Sequence, residues 1–335
     1  MTVREGGFAM PGDSDVQRLA AKIVPGGSVI ELGGFTSRNL RLGPVDGATD
    51  GTEDLVLRIH PKYVSRRRLV AVQEVRRQLA DMGLAVPRPL PHAGSAALRC
   101  AFSWAELEPY MPYEELKPTW DSYPWMFQAM GQLQRALVNI DAVIPRPVLP
   151  FFAAPSTLQR WLTLTRTAVG VDSQAIGLVD TLHDLIKTMR RQWVPTAELP
   201  GQIVHGDINL ENVGRAQGEE TVYLDFACAA NRPRIHDLAF SFGQTVFTHA
   251  EELPVEPSAV PWERVAGFVE EYENAAGWKL TAQEGQALTP YTVAVMLFFP
   301  AGAWLDKDPA EWLRRTQPFQ QFSEWLLAHP EALSG

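Results

Sequence analysis

Apolar positions change rhythm along the chain near residue 108. Before it they come in short runs. Ser28–Leu32 (SVIEL), Asn39–Leu42 and Leu55–His60 (LVLRIH) read as three strands of an antiparallel meander. They are separated by GGFTSR and by GPVDGATDGTED, whose three Gly and four acidic residues suit an exposed turn. Leu69, Val72, Arg76 and Leu79 recur at helical spacing, so a helix is predicted from after Ser65 to about Met82, with Gly83 as its stop. The proline-rich stretch 85–91 prevents its continuation, and Ala97–Glu108 predicts a further strand pair.

Beyond residue 108 the period becomes helical. Met126, Met130, Leu133 and Leu137 mark a helix over 124–139, and others are predicted at 157–167, 172–192, 262–275, 282–299 and 309–328. Thr281-Ala-Gln-Glu284 and Asp308-Pro-Ala-Glu311 have the form of capping boxes, with Pro309 at a first helical position. The pattern predicts an α+β chain with a sheet-rich lobe over 1–108 and a mainly helical lobe over 109–335. The first dozen residues read as a loose arm.

At 335 residues, 46% hydrophobic and 21% charged, the chain can bury a sizeable core as one large domain or two lobes. Thirty Lys plus Arg against 39 Asp plus Glu give a formal charge of −9, which disfavours nucleic acid and favours approach of a cation. Cys100 and Cys228 form no CxxC pair, so neither a zinc site nor a disulfide framework is expected, and a cytoplasmic location is. MTVREGGFAMPGDSD lacks the apolar stretch of a signal peptide. Tyr291–Leu305 contains Pro300 and is too short to span a bilayer, so a buried helix with a break is predicted and no membrane partner.

The chemistry concentrates in VHGDINLENV (204–213) and VYLDFACAANRPRIHDLA (222–239). Asp207 and Asn212 can face one small space from a single loop. Asp225 follows thirteen residues after Asn212, at the end of a short apolar run that a hairpin can bring back. Such oxygen ligands suit Mg2+, which accepts few protein ligands and keeps its water. Taken singly, each of these residues also fits a polar loop between buried strands.

Together, the HGDxxxxN of His205, Gly206, Asp207 and Asn212, followed by Leu224-Asp225-Phe226 and Asp237-Leu238-Ala239, resemble the aminoglycoside phosphotransferase and choline kinase superfamily. The resemblance implies a two-lobed protein-kinase-like fold and an ATP-dependent transfer to a hydroxyl, with GTP as an alternative donor. By it, Asp207 would orient and deprotonate the acceptor, and Asn212 and Asp225 would hold Mg2+. His205 would brace the loop, and Asp237 would accept its backbone hydrogen bonds.

Gly33–Asn39 resembles the superfamily's phosphate loop, which makes Gly34, Thr36 and Ser37 candidate nucleotide contacts, although a plain hairpin turn fits the same residues. Arg58 stands where many relatives carry Lys, with Glu74 on the following helix as its implied partner; an exposed Glu74–Arg77 pair competes with that reading. The RRR of 66–68 reads as a solvated helix start.

Two departures bear on the acceptor. Asp225-Phe226-Ala227 replaces DFG, and QLQRALVNI (132–140) lacks the LH of the antibiotic-modifying branch. Candidate acceptors are an antibiotic, a sugar or an amino alcohol. Residues 225–239 also resemble homoserine-kinase-like members, which makes a homoserine-type metabolite the alternative. Glu270, Glu271 and Glu273, with Trp262, Trp278, Trp304, Trp312 and Trp325, are either walls of a cationic pocket or a solvated face and core filling. No APE-like segment or activation loop suggests a protein kinase; a nucleotide-binding pseudokinase serving as a partner-binding module is the non-enzymatic alternative.

Overall fold

The computed structural model describes residues 10–34, 37–44, 54–147, 151–216, 220–249, 251–254 and 256–333. They form two compact units. The first takes the described residues of Met1–Glu114, Ile140–Val148 and Gly214–Ala227, and the second those of Glu115–Asn139, Leu149–Val213 and Cys228–Gly335.

The first unit opens with a helix that the apolar pattern left unread, α1 (Asp13–Ile23), with Asp13 and Asp15 in its first turn where the helix dipole favours them. Then come β1 (Ser28–Gly33), β2 (Arg38–Gly43), β3 (Leu55–Ile59), α2 (Arg66–Asp81), β4 (Leu98–Cys100) and β5 (Ser103–Pro109). The strands form one sheet in the order β1-β2-β3-β5-β4, antiparallel throughout. The expected meander and strand pair are both present. Most of the intervening acidic turn, 45–53, lies outside the described residues.

Strand alternation assigns the two faces of the sheet. Leu40, Leu42, Leu57, Ile59, Ala105 and Leu107 pack on one face with Val16 and Ala20 of α1. Val56, Arg58, Glu106 and Glu108 take the other parity and are buried as well. Edge strand β1 is exposed along its whole length, including Val29, Ile30 and Leu32. A hairpin, β7 (Val213–Arg215) and β8 (Thr221–Tyr223), joins this unit through Tyr223 N to Ala85 O (2.9 Å) and Glu114 N to Arg215 O (2.8 Å).

The second unit is mainly helical: α3 (Tyr123–Leu137), α4 (Pro155–Val169), α5 (Ser173–Arg191), α6 (Ile235–Phe240), α7 (Phe247–His249), α8 (Trp262–Ala276), α9 (Ala282–Ala301), α10 (Pro309–Arg315) and α11 (Gln317–Ala328). A strand pair, β6 (Gly201–Val204) with β9 (Ala230–Pro233), is inserted among them. Helix α9 is apolar all round and is surrounded by α4, α5, α6 and α11, as such a helix must be in water. Ala282–Leu305 has the length and composition to cross a bilayer, yet 72% of its most apolar window is buried within the protein.

Thr281 and Glu284 form the full predicted capping box, at 3.2 and 2.9 Å. Asp308 makes half of one: it accepts the Glu311 amide at 3.0 Å, while the Glu311 carboxylate turns to Arg314. The helix expected over 309–328 is two helices that meet at Thr316. Pro318, in the first turn of α11, has no N–H to continue α10.

Candidate active site

The HGD loop leaves the end of β6, which pairs with β9 from Gly201↔Pro233 to Val204↔Ala230. Gly206 has φ +81, and a Cβ there would lie 2.5 Å from the Cys228 carbonyl oxygen, so this backbone requires glycine. Asp237 on α6 is fully buried and accepts the His205 amide on Oδ2 (3.0 Å) and the Gly206 amide on Oδ1 (2.8 Å). Gln134 Nε2 of α3 donates to the same Oδ2 at 3.1 Å, and Tyr272 OH donates to Gln134 Oε1 at 2.6 Å. Burial works to raise the Asp237 pKa, but the imidazoles of His236 and His205 and the Gly206 amide outweigh it and hold the carboxyl below its ordinary value. Asp237 is thus the anionic floor of the loop, as the resemblance implied. Next to it, burial and Arg232 push the His236 pKa down to about 4, and Arg232 Nη1 lies 2.7 Å from the ring Nε2.

The same loop brings Asp207 and Asn212 together. Asn212 Nδ2 donates to the Asp207 carbonyl at 2.8 Å, and Asn209 Nδ2 lies 3.3 Å from Asp207 Oδ1. Asn209 Oδ1 accepts the amides of Glu211 (2.9 Å) and Asn212 (3.0 Å), which closes the turn. Ser241, the first residue of a π-helical segment (Ser241–Val246), anchors Ile208 O at 2.8 Å.

In the first unit, the inner face of the sheet carries a buried chain of charges. Arg58 Nη1 lies 2.9 Å from Asp225 Oδ2, and its Nη2 lies 3.4 Å from Glu108 Oε1. Arg76 of α2 reaches both Glu108 Oε2 and Glu106 Oε2. His60 Nε2 lies 3.1 Å from Glu106 Oε1, and Ser37 Oγ lies 3.5 Å from His60 Nδ1. Burial works against the Arg58 charge, but Asp225, Glu108 and Glu106 more than offset it and push its pKa up. A cavity of about 30 Å3, room for about two waters, borders Arg58, Arg68, Arg76, Glu106, Asp225 and Phe226.

The implied Arg58–Glu74 pair is corrected. Glu74 is bonded to Arg77 (2.6 Å) and Gln78 (2.7 Å) on the outer side of α2, and the inward residue of that helix is basic, Arg76. Acid and base have exchanged elements, with the carboxylates on β5. Two consecutive even positions, Glu106 and Glu108, were the available signal. The RRR expectation holds for exposed Arg66 and Arg67 only; Arg68 is buried and donates to the carbonyls of Pro145 and Ala227.

Gly34 has φ +135, and a Cβ there would lie 2.2 Å from Ser37 O; Asn39 Nδ2 donates to Gly33 O at 3.0 Å. Ser37 is buried beside His60, and Thr36 lies outside the described residues. Asp225 itself has φ +50, an uncommon backbone state for a residue with a side chain; its Oδ1 accepts the Ala227 amide at 3.2 Å.

Of the acidic and aromatic residues considered for an acceptor pocket, Glu271, Glu273, Trp262, Trp278, Trp312 and Trp325 have structural partners. Glu271 accepts from Gln128 (2.6 Å), and Glu273 accepts the Leu280 amide (2.8 Å). Trp262 stacks on Trp325 with ring centroids 4.3 Å apart, and Trp312 donates to Phe299 O at 3.0 Å.

The chain matches the phosphotransferase enzyme family over residues 31–285. The homoserine kinase of Gluconobacter oxydans (strain 621H) is 25% identical over 284 residues, which span 81% of this chain and 85% of that protein. The solved structure of a microcompartment-associated aminopropanol kinase aligns at TM-score 0.70 and 14% identity, over 95% of this chain and 98% of that one. An aminoglycoside phosphotransferase from Alicyclobacillus acidocaldarius subsp. acidocaldarius aligns at TM-score 0.64 and 10% identity, over 92% of each chain. At such identities these structures establish the fold, which is protein-kinase-like.

Proposed function

The chain belongs to the phosphotransferase enzyme family, and from that premise we propose that it transfers the γ-phosphoryl group of ATP to the hydroxyl of a small amino alcohol of the homoserine type. ATP-dependent transfer to small molecules is the general activity of this superfamily. The observation that carries the reading is the loop held by Asp237, which fixes the backbone amides of the two residues that precede the half-buried Asp207.

Asp207 accepts the proton of the acceptor hydroxyl as its oxygen attacks the γ-phosphorus. The bond from that phosphorus to the β–γ bridging oxygen breaks, and ADP leaves. Asn209 keeps the carboxylate oriented through its contact with Oδ1. Arg58, charged and buried, meets phosphate charge with a planar donor face.

Mg2+, when bound, neutralises charge on the phosphate oxygens, and Asn212 and Asp225 would hold it. The donor chemistry supports this. Asn212 commits its Nδ2 to the Asp207 carbonyl, leaving a hard amide oxygen, and Asp225 adds a carboxylate.

A homoserine-type acceptor is supported by the similarity to homoserine kinase across most of both chains. A fold shared with an aminopropanol kinase is compatible with it. An antibiotic acceptor has support from shared fold alone, and 132–140 lacks the LH of that branch. The test is a panel of homoserine, other amino alcohols, sugars and aminoglycosides with ATP or GTP, read by mass gain of one phosphoryl group. Homoserine or a close amino alcohol should gain it. Gain on an aminoglycoside or sugar alone refutes the acceptor class, and Mg2+-dependent ATP binding without any transfer would favour a pseudokinase.

A further inference from the structure

We propose that Arg76 is a positioning residue for Arg58, acting through Glu108; the inference rests on the proposed contact of Arg58 with nucleotide phosphate. In the strand register the residue directly opposite Arg58 is Glu106, whereas Glu108 faces Val56. Simple cross-strand pairing would therefore couple Arg58 to Glu106. It does not, because Glu106 is already filled: His60 lies 3.1 Å from its Oε1, and Gln73 (3.1 Å) and Arg76 both donate to its Oε2.

The second arm of the Arg76 fork takes Glu108 Oε2, which leaves Oε1 of that carboxylate for Arg58 at 3.4 Å. Arg58 is thus directed diagonally along the sheet and held between Glu108 and Asp225. Its Nε has no hydrogen-bond partner among the described residues, so the guanidinium keeps a buried donor uncommitted. The fork is the essential element. A planar group with two separate donor nitrogens fits carboxylates two residues apart on one strand face, whereas an ammonium offers a single nitrogen and cannot reproduce that fixed spacing.

The test is Arg76→Lys, with ATP binding by calorimetry, KM for ATP and for the acceptor, and thermal unfolding on the same samples. The KM for ATP should rise about tenfold while the KM for the acceptor stays within about twofold. In an Arg58→Met background the same change should move ATP affinity by less than about twofold, because the group it positions is gone. Glu108→Gln, which keeps the shape, should give a comparable rise in KM for ATP.

Unchanged ATP affinity with a lowered Tm overturns the proposal, as do losses that multiply in the double variant. Failure of all these variants to fold overturns it too, by assigning the network to stability alone. Absence of ATP binding by the unaltered protein overturns the functional reading itself and this inference with it.

Discussion

Asp237→Asn is the sharpest single perturbation of the loop. Three donors hydrogen-bond this carboxylate: the Gly206 amide on Oδ1, and the His205 amide and Gln134 Nε2 on Oδ2. Asparagine has one oxygen, so in either orientation its NH2 must face a backbone N–H. The better orientation sacrifices the Gly206 contact, which loses a charge-assisted bond of about 1.5–3 kcal/mol and leaves a buried amide unpaired. The residue is fully buried, so solvent cannot replace that partner. Removing a buried charge returns part of the cost, and the expected net loss is about 3 kcal/mol, or a fall in Tm of roughly 4 °C for a chain of this length. Because the displaced amide precedes Asp207 directly, kcat should fall with both KM values nearly unchanged. Differential scanning calorimetry and steady-state kinetics on one preparation decide it. A variant within about 1 °C of the parent and of equal kcat would refute the assignment of Asp237 as the anionic floor.

Gly206→Ala should cost about 2 kcal/mol or more, since alanine disfavours φ +81 and its methyl meets the Cys228 carbonyl; denaturant titration reads this, and a neutral result would show that the turn has another backbone solution. His236 gives stability a pH dependence. Its folded pKa of about 4 lies below the unfolded 6.5, so the unfolded chain takes the proton first as pH falls. The contribution is complete above pH 6.5 and is lost on descent to pH 4, by about 3 kcal/mol. His236→Gln should flatten the stability profile across that window, and an unaltered slope would remove His236 as its source.

Much of this was legible in the chain. Period two in LVLRIH put Val56 and Arg58 on one face, and period 3.6 placed Arg76 with Leu69, Val72 and Leu79. The same period left Glu74 off that stripe, and the implied Arg58–Glu74 pair departed from it; the structure follows the stripe. Glu106 and Glu108 were harder to read, because two acids alternating with Ala105 and Leu107 look like the wet side of a half-buried strand. Only the covering helix α2 makes that side an interior. Helix α1 is short, and its buried pair Val16 and Ala20 is a faint signal without the sheet beneath it. Pro318 marked the division between α10 and α11 in plain view, but continuous apolar spacing on either side concealed it.

The first unit is assembled from three separate stretches of chain, the last of them Gly214–Ala227. Arg68 therefore finds the Ala227 carbonyl 159 positions downstream of itself. During synthesis from the ribosome, the amino-terminal sheet emerges early yet must wait, with Arg58 and Arg68 lacking their late partners, until translation has passed residue 227. Its completion comes only about two-thirds of the way along the chain, so the front of the protein folds late, although still ahead of a second unit that draws on residues up to the carboxyl terminus.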